Sequence, residues 1–148
     1  MKVIAEIDDG YQAYLMGYIA CSQLSGARPV RFYIDTGSTI TTLLGIDIVK
    51  LGLKWSTLRL TRCDTAIGPA EPYILPSVTI LLKQWKDHEQ ELIAYNLKSI
   101  NLLPPDDPTK VFPVEYDFAF SLLGMDVLKN FNVWTWKHSE KQLLLESV

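Results

Sequence analysis

Apolar stretches of strand length recur along most of the chain, and turn residues separate them. These stretches are rich in β-branched and aromatic residues or alternate between apolar and polar positions, which is typical of strands. They are YLMGYIAC, PVRFYID, TLRLTRC, PYILPSVTILLKQW, ELIAYNLKSINLL, FNVWTWK and KQLLLESV. Gly26, within SGAR, predicts a compact turn that joins the first two stretches as a hairpin. The pattern therefore predicts a mainly β protein.

Three other segments depart from the strand pattern. TLLGIDIVKLGL has apolar residues near helical spacing and predicts a short helix from about Leu44 to Leu51. MDVLKNF offers Asp126 as the N-cap of a second short helix. LPPDDPTKVFP, from Leu103 to Pro113, contains four prolines and predicts a surface loop, because proline cannot donate to a strand ladder.

The segment FYIDTGST places an acid where a carboxylate is costly. Val30 to Ile34 has the composition of a strand that enters a core, and Asp35 follows it directly. A carboxylate in that position has to be hydrogen-bonded, paired or used in chemistry. Gly37 predicts a tight turn with a positive φ just beyond it. Asp35 is therefore a candidate functional residue, with a turn-forming or capping aspartate as the alternative.

Length and charge narrow the class of protein. The chain has 148 residues and a formal net charge of −3, with acids and bases scattered along it. This length predicts one domain over 1–148, although a second copy could be needed to complete a site. Nucleic acid is not an expected partner, because the scattered charges form no basic patch that could bind a phosphate backbone.

Cysteines, histidines and hydropathy bear on compartment and cofactors. Cys21 and Cys63 are too few for a disulfide framework, so a reducing, cytoplasmic setting is expected, although a bridge between them stays open. Cys21 falls in a predicted strand and is expected to be an inert buried thiol.

His88 and His138 lie far apart without metal-ligand spacing, so we expect no metal and no cofactor. Acids interrupt the N-terminal MKVIAEIDDG, and no apolar run approaches the roughly 18 residues of a membrane span, so neither export nor a membrane is expected.

The tryptophans are predicted to pack in the core or between strands rather than to line a pocket. Apolar alternation around the last two favours this interpretation. The four residues are Trp55, Trp85, Trp134 and Trp136.

Two motifs together resemble the retropepsins, the single-lobe aspartic proteases typified by retroviral protease. One is the Asp-Thr-Gly that begins at Asp35 after an apolar strand, and the other is FSLLGMDVLKNF much later in the chain. In that family a strand carries Asp-Thr/Ser-Gly, and a later segment of two apolar residues and glycine passes beside it before a short helix. The resemblance extends from about Tyr18 to Leu145. It implies the single-lobe acid-protease fold, a closed β-barrel with one or two short helices.

The resemblance also implies roles for the residues of both motifs. Asp35 would be the catalytic acid, and Thr36 would lock the two active-site loops of a dimer. Gly37 would let the loop pass close to substrate, and Ser38 would hydrogen-bond the carboxylate. The supporting residues behind the loop would be Leu122, Leu123 and Gly124. TAIGPAEPYILPSVTI falls where the family has its flap hairpin, which makes Ile67, Gly68 and Pro69 candidate substrate contacts.

The sequence departs from the family pattern in two places. Retropepsins commonly carry an acid two residues beyond the first glycine and an arginine after the later glycine, where this chain has Thr39 and Met125. Both partners of that ion pair are missing together, so no buried charge is left unpaired, and DTGST resembles the pepsin-type loop instead. The second departure is the flap tip, where Pro69 has no N–H to donate to a substrate carbonyl.

One Asp-Thr-Gly per chain implies two chains per active site. Aspartic proteases use two facing carboxylates that share a proton, and here the second would be Asp35 of a symmetry mate. The resemblance therefore implies a homodimeric aspartic endopeptidase that acts on a peptide or protein substrate. The alternative is a catalytically inactive dimeric module of the same fold, which would bind extended peptides by strand addition or mediate assembly.

Overall fold

Strands make up most of the protein, whose computed structural model describes residues 1–65, 68–104 and 121–147. In chain order they are β1 (Lys2–Ile7), β2 (Ala13–Ala20), β3 (Arg28–Ile34), β4 (Thr42–Leu44), β5 (Arg59–Leu60), β6 (Cys63–Thr65), β7 (Gly68–Ala70), β8 (Tyr73–Lys86), β9 (Glu89–Leu103), β10 (Ser121–Leu123), β11 (Val133–Lys137) and β12 (Gln142–Glu146). The helices within the described ranges are α1 (Gly45–Leu51), α2 (Met125–Leu128) and a 3₁₀ helix (His138–Glu140). The predicted mainly β class with one or two short α-helices is confirmed.

Six strands form a closed ring of pairings. The ring runs β2, β3, β10, β4, β9, β8 and back to β2. Two neighbouring pairs in the ring, β3 with β10 and β4 with β9, are parallel, and the other four pairs are antiparallel. β1 joins β2 and β8 to an outer set in which β12 lies between β1 and β11. The ring matters for function because it brings β3 and β10, far apart in sequence, side by side.

The core lies on the inward face of these strands. β2 alternates buried with more exposed residues, as expected for a strand with one face toward a core. Helix α1 adds the fully buried Ile48. Phe32 of β3 and Leu123 of β10 are also fully buried, which anchors the ends of the two strands that carry the candidate site.

Most elements predicted from the pattern are present, with local corrections. Helix α1 falls within the predicted range, and Gly52 ends it with a left-handed φ of 68°. Gly26 occupies the predicted turn with a φ of 86°. Helix α2 begins at Met125 with Gly124 at the N-cap position, so the prediction that Asp126 caps it is wrong. Strand β1 was not predicted, because acidic residues interrupt its short apolar run.

Two further predictions concern loops and cysteines. Residues 105–113 of the predicted proline-rich loop lie outside the described residues, and Leu103 ends β9. Cys21 and Cys63 are free thiols, and both are half-buried. The bridge left open by the sequence is therefore not formed in this structure.

Candidate active site

Asp35 lies directly beyond the end of β3, where β3 runs parallel to β10. The pairing register places Leu123 opposite Ile34, and the Asp35 N–H donates to the Leu123 carbonyl oxygen at 3.1 Å. The structure thus brings the two sequence motifs together. We call residues 35–41 the Asp35 loop and residues 121–126 the support segment.

Backbone hydrogen bonds shape the tip of the Asp35 loop. The Gly37 N–H donates to Asp35 Oδ1 at 2.9 Å, and the Ser38 N–H donates to the Asp35 carbonyl at 3.2 Å. The Ser38 hydroxyl donates to the Ile40 carbonyl at 2.7 Å, so the hydrogen bond predicted from this hydroxyl to the carboxylate is not formed. Thr36 is exposed. The half-buried Asp35 carboxylate is therefore held by a backbone N–H while Thr36 faces solvent.

The tight turn predicted at Gly37 is present, but its physical reason differs from the prediction. Gly37 does not have a positive φ, a conformation that Gly26 and Gly52 adopt. A Cβ at position 37 would lie 3.2 Å from Asp35 Oδ1, which is closer than ordinary van der Waals contact. Glycine lets the backbone approach the carboxylate closely, and a Cβ here would displace the Asp35 carboxylate by a few tenths of an ångström.

Gly124 allows the support segment to touch the Asp35 loop. A Cβ at this position would lie 2.6 Å from the Ile40 carbonyl carbon and 2.8 Å from the Thr41 nitrogen. Both of these are backbone atoms, so rotation of a side chain could not relieve the clash. The predicted supporting role of Gly124 thus has a direct geometric basis, and the buried Leu123 and half-buried Leu122 precede it on β10.

Backbone hydrogen bonds join the Asp35 loop to the support segment at Thr39 and Met125, the two positions that depart from the family pattern. The Met125 N–H donates to the Ser38 carbonyl at 2.8 Å, and the Asp126 N–H donates to the Thr39 carbonyl at 3.1 Å. The Thr39 residue itself is exposed. The loop is therefore tied down at these positions without a charged side chain from Thr39 or Met125.

A side-chain network reinforces the same contact. Asp126 Oδ2 accepts from the Thr41 N–H at 2.9 Å, and Asp126 Oδ1 accepts from the Thr41 hydroxyl at 2.7 Å. Thr41 Oγ1 in turn accepts from the Gly124 N–H at 3.1 Å. Sequence reasoning missed this link because the two side chains are 85 positions apart.

A groove of about 620 Å³ opens beside Asp35. Aromatic and aliphatic side chains line most of it, and Asp35 is the one carboxylate among its described lining residues, which are Tyr11, Gln12, Ala13, Tyr33, Ile34, Asp35, Thr36, Leu122, Trp134, Trp136 and Leu143. The prediction that Trp134 and Trp136 do not line a pocket is therefore wrong. The alternation of β11 indicated one face against the sheet, but it could not show that the groove lies beside that strand.

One wall of the groove is the turn between β1 and β2. Asp8 Oδ1 accepts from the Gly10 and Gln12 N–H groups, each at 2.9 Å, and Asp8 Oδ2 accepts from the Tyr33 hydroxyl at 3.0 Å. The Gln12 N–H, with the Tyr33 hydroxyl and the Gly10 N–H, holds the pKa of Asp8 below its usual value. Burial, and then the hydrogen bond to Asp8, raise the pKa of Tyr33. These contacts fix the turn against β3, two residues before Asp35.

The predicted flap region contains a small hairpin. Strands β6 and β7 pair in an antiparallel way, with Asp64 opposite Pro69 and Thr65 opposite Gly68. Ile67, the remaining candidate flap residue, lies outside the described residues. The backbone at Gly68 and Pro69 therefore pairs with β6, and the role of these residues in substrate binding stays a prediction.

Across 1–65, 68–104 and 121–147, no group of three or more His, Cys, Asp or Glu side chains is arranged to hold a metal ion. Within the same ranges, no helix has the length and apolar character needed to cross a membrane.

Comparisons with known proteins agree with this geometry. The profile of the family described as "Aspartyl protease" matches residues 22–127. No curated protein matches the chain. Among solved structures, a retropepsin-like aspartic protease from Rickettsia conorii is similar over 99% of this chain and 91% of that one, with a TM-score of 0.60 and 20% sequence identity. The fold is thus retropepsin-like, and because the family profile covers well over half of the sequence, the chain belongs to the aspartyl protease family.

Proposed function

We propose that the protein is an aspartic endopeptidase that acts as a homodimer, with one Asp35 carboxylate from each protomer. The observation that carries the proposal is the position of Asp35, on a loop fixed from behind and beside an open groove lined mainly by apolar side chains. Such a groove suits an extended peptide, because it offers apolar contact area next to the reacting groups. Family membership supports protease chemistry in the same place.

The chemistry requires two carboxyl groups in different protonation states. The ionised carboxylate takes a proton from a water molecule, whose oxygen attacks the peptide carbonyl carbon. The neutral carboxyl group first donates a hydrogen bond to the carbonyl oxygen. A proton is then delivered to the leaving nitrogen as the C–N bond breaks, which yields an acid and an amine. Among the described lining residues of the groove one chain supplies one carboxylate, which is why the proposal includes a second copy related by a two-fold axis.

The proposal predicts that Asp35→Asn abolishes peptide cleavage while leaving fold and association intact. Asparagine is nearly isosteric with aspartate, but it can neither accept the proton from water nor return it. The test is turnover of a mixed peptide library by the wild type and the variant over a pH series, with a statine-type inhibitor in a parallel assay. We expect cleavage by the wild type below neutral pH, because one of two facing carboxyl groups must stay protonated.

Controls separate loss of chemistry from loss of structure. Asp87→Asn replaces an exposed aspartate in the β8–β9 turn, where the left-handed φ of 49° suits asparagine, and it should cleave like the wild type. The circular dichroism spectrum and sedimentation coefficient of Asp35→Asn should match those of the wild type. Cleavage by Asp35→Asn at the wild-type rate would refute the assignment of Asp35. A wild-type dimer that binds peptides of the library but cleaves none would instead favour the inactive peptide-binding module.

A further inference from the structure

The Asp126 carboxylate is hydrogen-bonded to Thr41 at the end of the Asp35 loop and does not line the groove. It is half-buried and absent from the groove lining, and its hydrogen-bond partner Thr41 is fully buried at the far end of the loop. Asp126 therefore cannot contact a substrate in the groove. Any influence that it has on the reaction must pass through the loop.

Each hydrogen bond in the network around Asp126 has a defined donor and acceptor. Three donors point at the carboxylate: the Thr41 N–H at 2.9 Å, the Thr41 hydroxyl at 2.7 Å and the Val127 N–H at 3.0 Å. Because the Thr41 hydroxyl donates its proton to Asp126, its oxygen is available to accept from the Gly124 N–H at 3.1 Å. An ionised carboxylate, which only accepts, satisfies all of these donors. Hydrogen bonds to a charged acceptor are also stronger than those between neutral groups.

We propose that Asp126 is a positioning residue of the active site, which acts through Thr41 and Gly124 to hold the Asp35 loop in its working geometry. The inference rests on the proposed protease function for its effect on the rate. Three backbone bonds between the loop and the support segment give the loop its path: Asp35 to Leu123, Met125 to Ser38 and Asp126 to Thr39. The Asp126–Thr41 link closes the end of that path, so that the loop is fixed on both sides of Ser38.

Two substitutions interrupt the network in different ways. Asp126→Asn keeps the shape of the side chain, but its NH₂ group has to face the Thr41 N–H, or else the Thr41 hydroxyl and the Val127 N–H. In either orientation a donor meets a donor. Thr41→Val keeps the volume of the buried side chain and removes the hydroxyl between Asp126 and Gly124. Thr41→Ser restores that hydroxyl and should rescue the function that Thr41→Val loses.

A second carboxylate–hydroxyl pair provides a matched control. Ser121, fully buried on β10, donates to Asp47 Oδ2 at 2.6 Å and accepts from the Leu44 N–H at 3.1 Å. This link joins Ser121, the first residue of the support segment, to α1, and it includes none of residues 35–41. Asp47→Asn should therefore lower stability, as Asp126→Asn does, without disturbing the Asp35 loop.

The first measurement is steady-state kinetics on a cleaved peptide, at a temperature where every variant is fully folded and dimeric. We expect kcat of Asp126→Asn and Thr41→Val to fall by roughly ten- to a hundredfold, because small displacements of a reacting group have effects of this size. KM should stay within about twofold, since Asp126 does not line the groove. Thr41→Ser and Asp47→Asn should keep kcat near that of the wild type. Unchanged kcat in both Asp126→Asn and Thr41→Val would overturn the proposal.

The second measurement does not depend on activity. Amide hydrogen exchange should accelerate at Met125 and Asp126 in Asp126→Asn, because these N–H groups donate to the loop, and at Leu44 in Asp47→Asn. If the wild type cleaves nothing and this exchange pattern is observed, the protease proposal fails while the positioning role stands. If exchange at Met125 and Asp126 is the same in Asp126→Asn as in the wild type, Asp126 does not fix the loop and the positioning role is refuted.

Discussion

At the scale of single residues, Gly124 is the most constrained position of the site. A methyl group there would meet the Ile40 carbonyl carbon at 2.6 Å and the Thr41 nitrogen at 2.8 Å, so two backbone segments would have to separate. We expect Gly124→Ala to lower the free energy of unfolding by about 1–3 kcal/mol, as other overpacking substitutions do. Urea denaturation followed by tryptophan fluorescence measures this change.

A second glycine-to-alanine change tests whether the effect is steric. The nearest atom to a Cβ at Gly10 is the Asp8 Oδ1 atom at 3.3 Å, and no backbone atom lies within 4 Å. Gly10→Ala should therefore change the free energy of unfolding by no more than about 0.5 kcal/mol. Equal destabilisation by both substitutions would show that the close approach at Gly124 is not responsible.

Residue identity alone predicted part of the site. Asp35 could be singled out because an acid that follows a buried strand has to be hydrogen-bonded, paired or used in chemistry. The structure places it beside a groove. Asp126 was misassigned as a helix cap because a sequence shows only its near neighbours, whereas its partner Thr41 comes from a distant segment. The hydroxyl of Ser38 was assigned to the wrong acceptor for a related reason, since loop geometry decides between the carboxylate and the Ile40 carbonyl.

At the scale of elements, the β1–β2 turn predicts a pH dependence of stability. Hydrogen bonds from the Gln12 N–H, the Tyr33 hydroxyl and the Gly10 N–H lower the pKa of Asp8 below its usual value in the folded protein. A carboxyl group with a depressed pKa stabilises the fold above its unfolded pKa, and this contribution is lost as the pH falls through the folded pKa. Asp8→Asn should therefore be less stable than the wild type at about pH 6, and the difference should shrink toward about pH 3.

Denaturation midpoints in urea at the two pH values provide the measurement. Asparagine preserves the turn, because its side-chain oxygen can still accept from the Gly10 and Gln12 N–H groups. Tyr33→Phe removes one of the hydrogen bonds to the carboxylate and leaves the other two, so its pH dependence should lie between those of the wild type and Asp8→Asn. A difference between wild type and Asp8→Asn that is the same at both pH values would contradict the argument.

Long periodic elements were easier to predict than short ones. Helix α1 and strands β8 and β9 have enough periodic residues to be recognised without knowledge of their neighbours. Strand β10 has three residues and exists because it lies between β3 and β4, which is a tertiary effect. The position of β11 beside the groove is also a tertiary effect, which is why Trp134 and Trp136 were assigned to packing alone.

At the scale of the whole molecule, the two sequence motifs that indicated the fold lie side by side in the structure. The closed ring of six strands brings β3 beside β10, and this arrangement gives Gly124 of the second motif its close backbone contact with the Asp35 loop. Apolar periodicity alone indicated a mainly β protein and could not have selected this topology. The resemblance supplied the expectation that the two motif segments lie side by side in a closed β-barrel.

The whole molecule also carries the prediction of a dimer. The described groove residues include one carboxylate per chain, and peptide hydrolysis by this chemistry needs two that face each other. A two-fold axis through the site would bring the second Asp35 into place without any further motif in the sequence. Thr36 next to Asp35 is exposed in the single chain, so that side of the loop is open to a second protomer.

Concentration therefore controls activity in this scheme. We expect sedimentation velocity over a dilution series to show a monomer–dimer equilibrium, and specific activity to fall in parallel with the fraction of dimer. Asp35→Asn should associate as the wild type does, because the substitution removes one charge and changes little volume. A mixture of wild type and an excess of Asp35→Asn gives the sharpest result: wild-type chains would then be held mainly in heterodimers with one carboxylate, and activity per wild-type chain should drop well below its value in the undiluted homodimer. Activity that stays proportional to wild-type chains alone, in that mixture and at the lowest concentrations, would mean that one chain suffices and that the second carboxyl group comes from elsewhere in the same protomer.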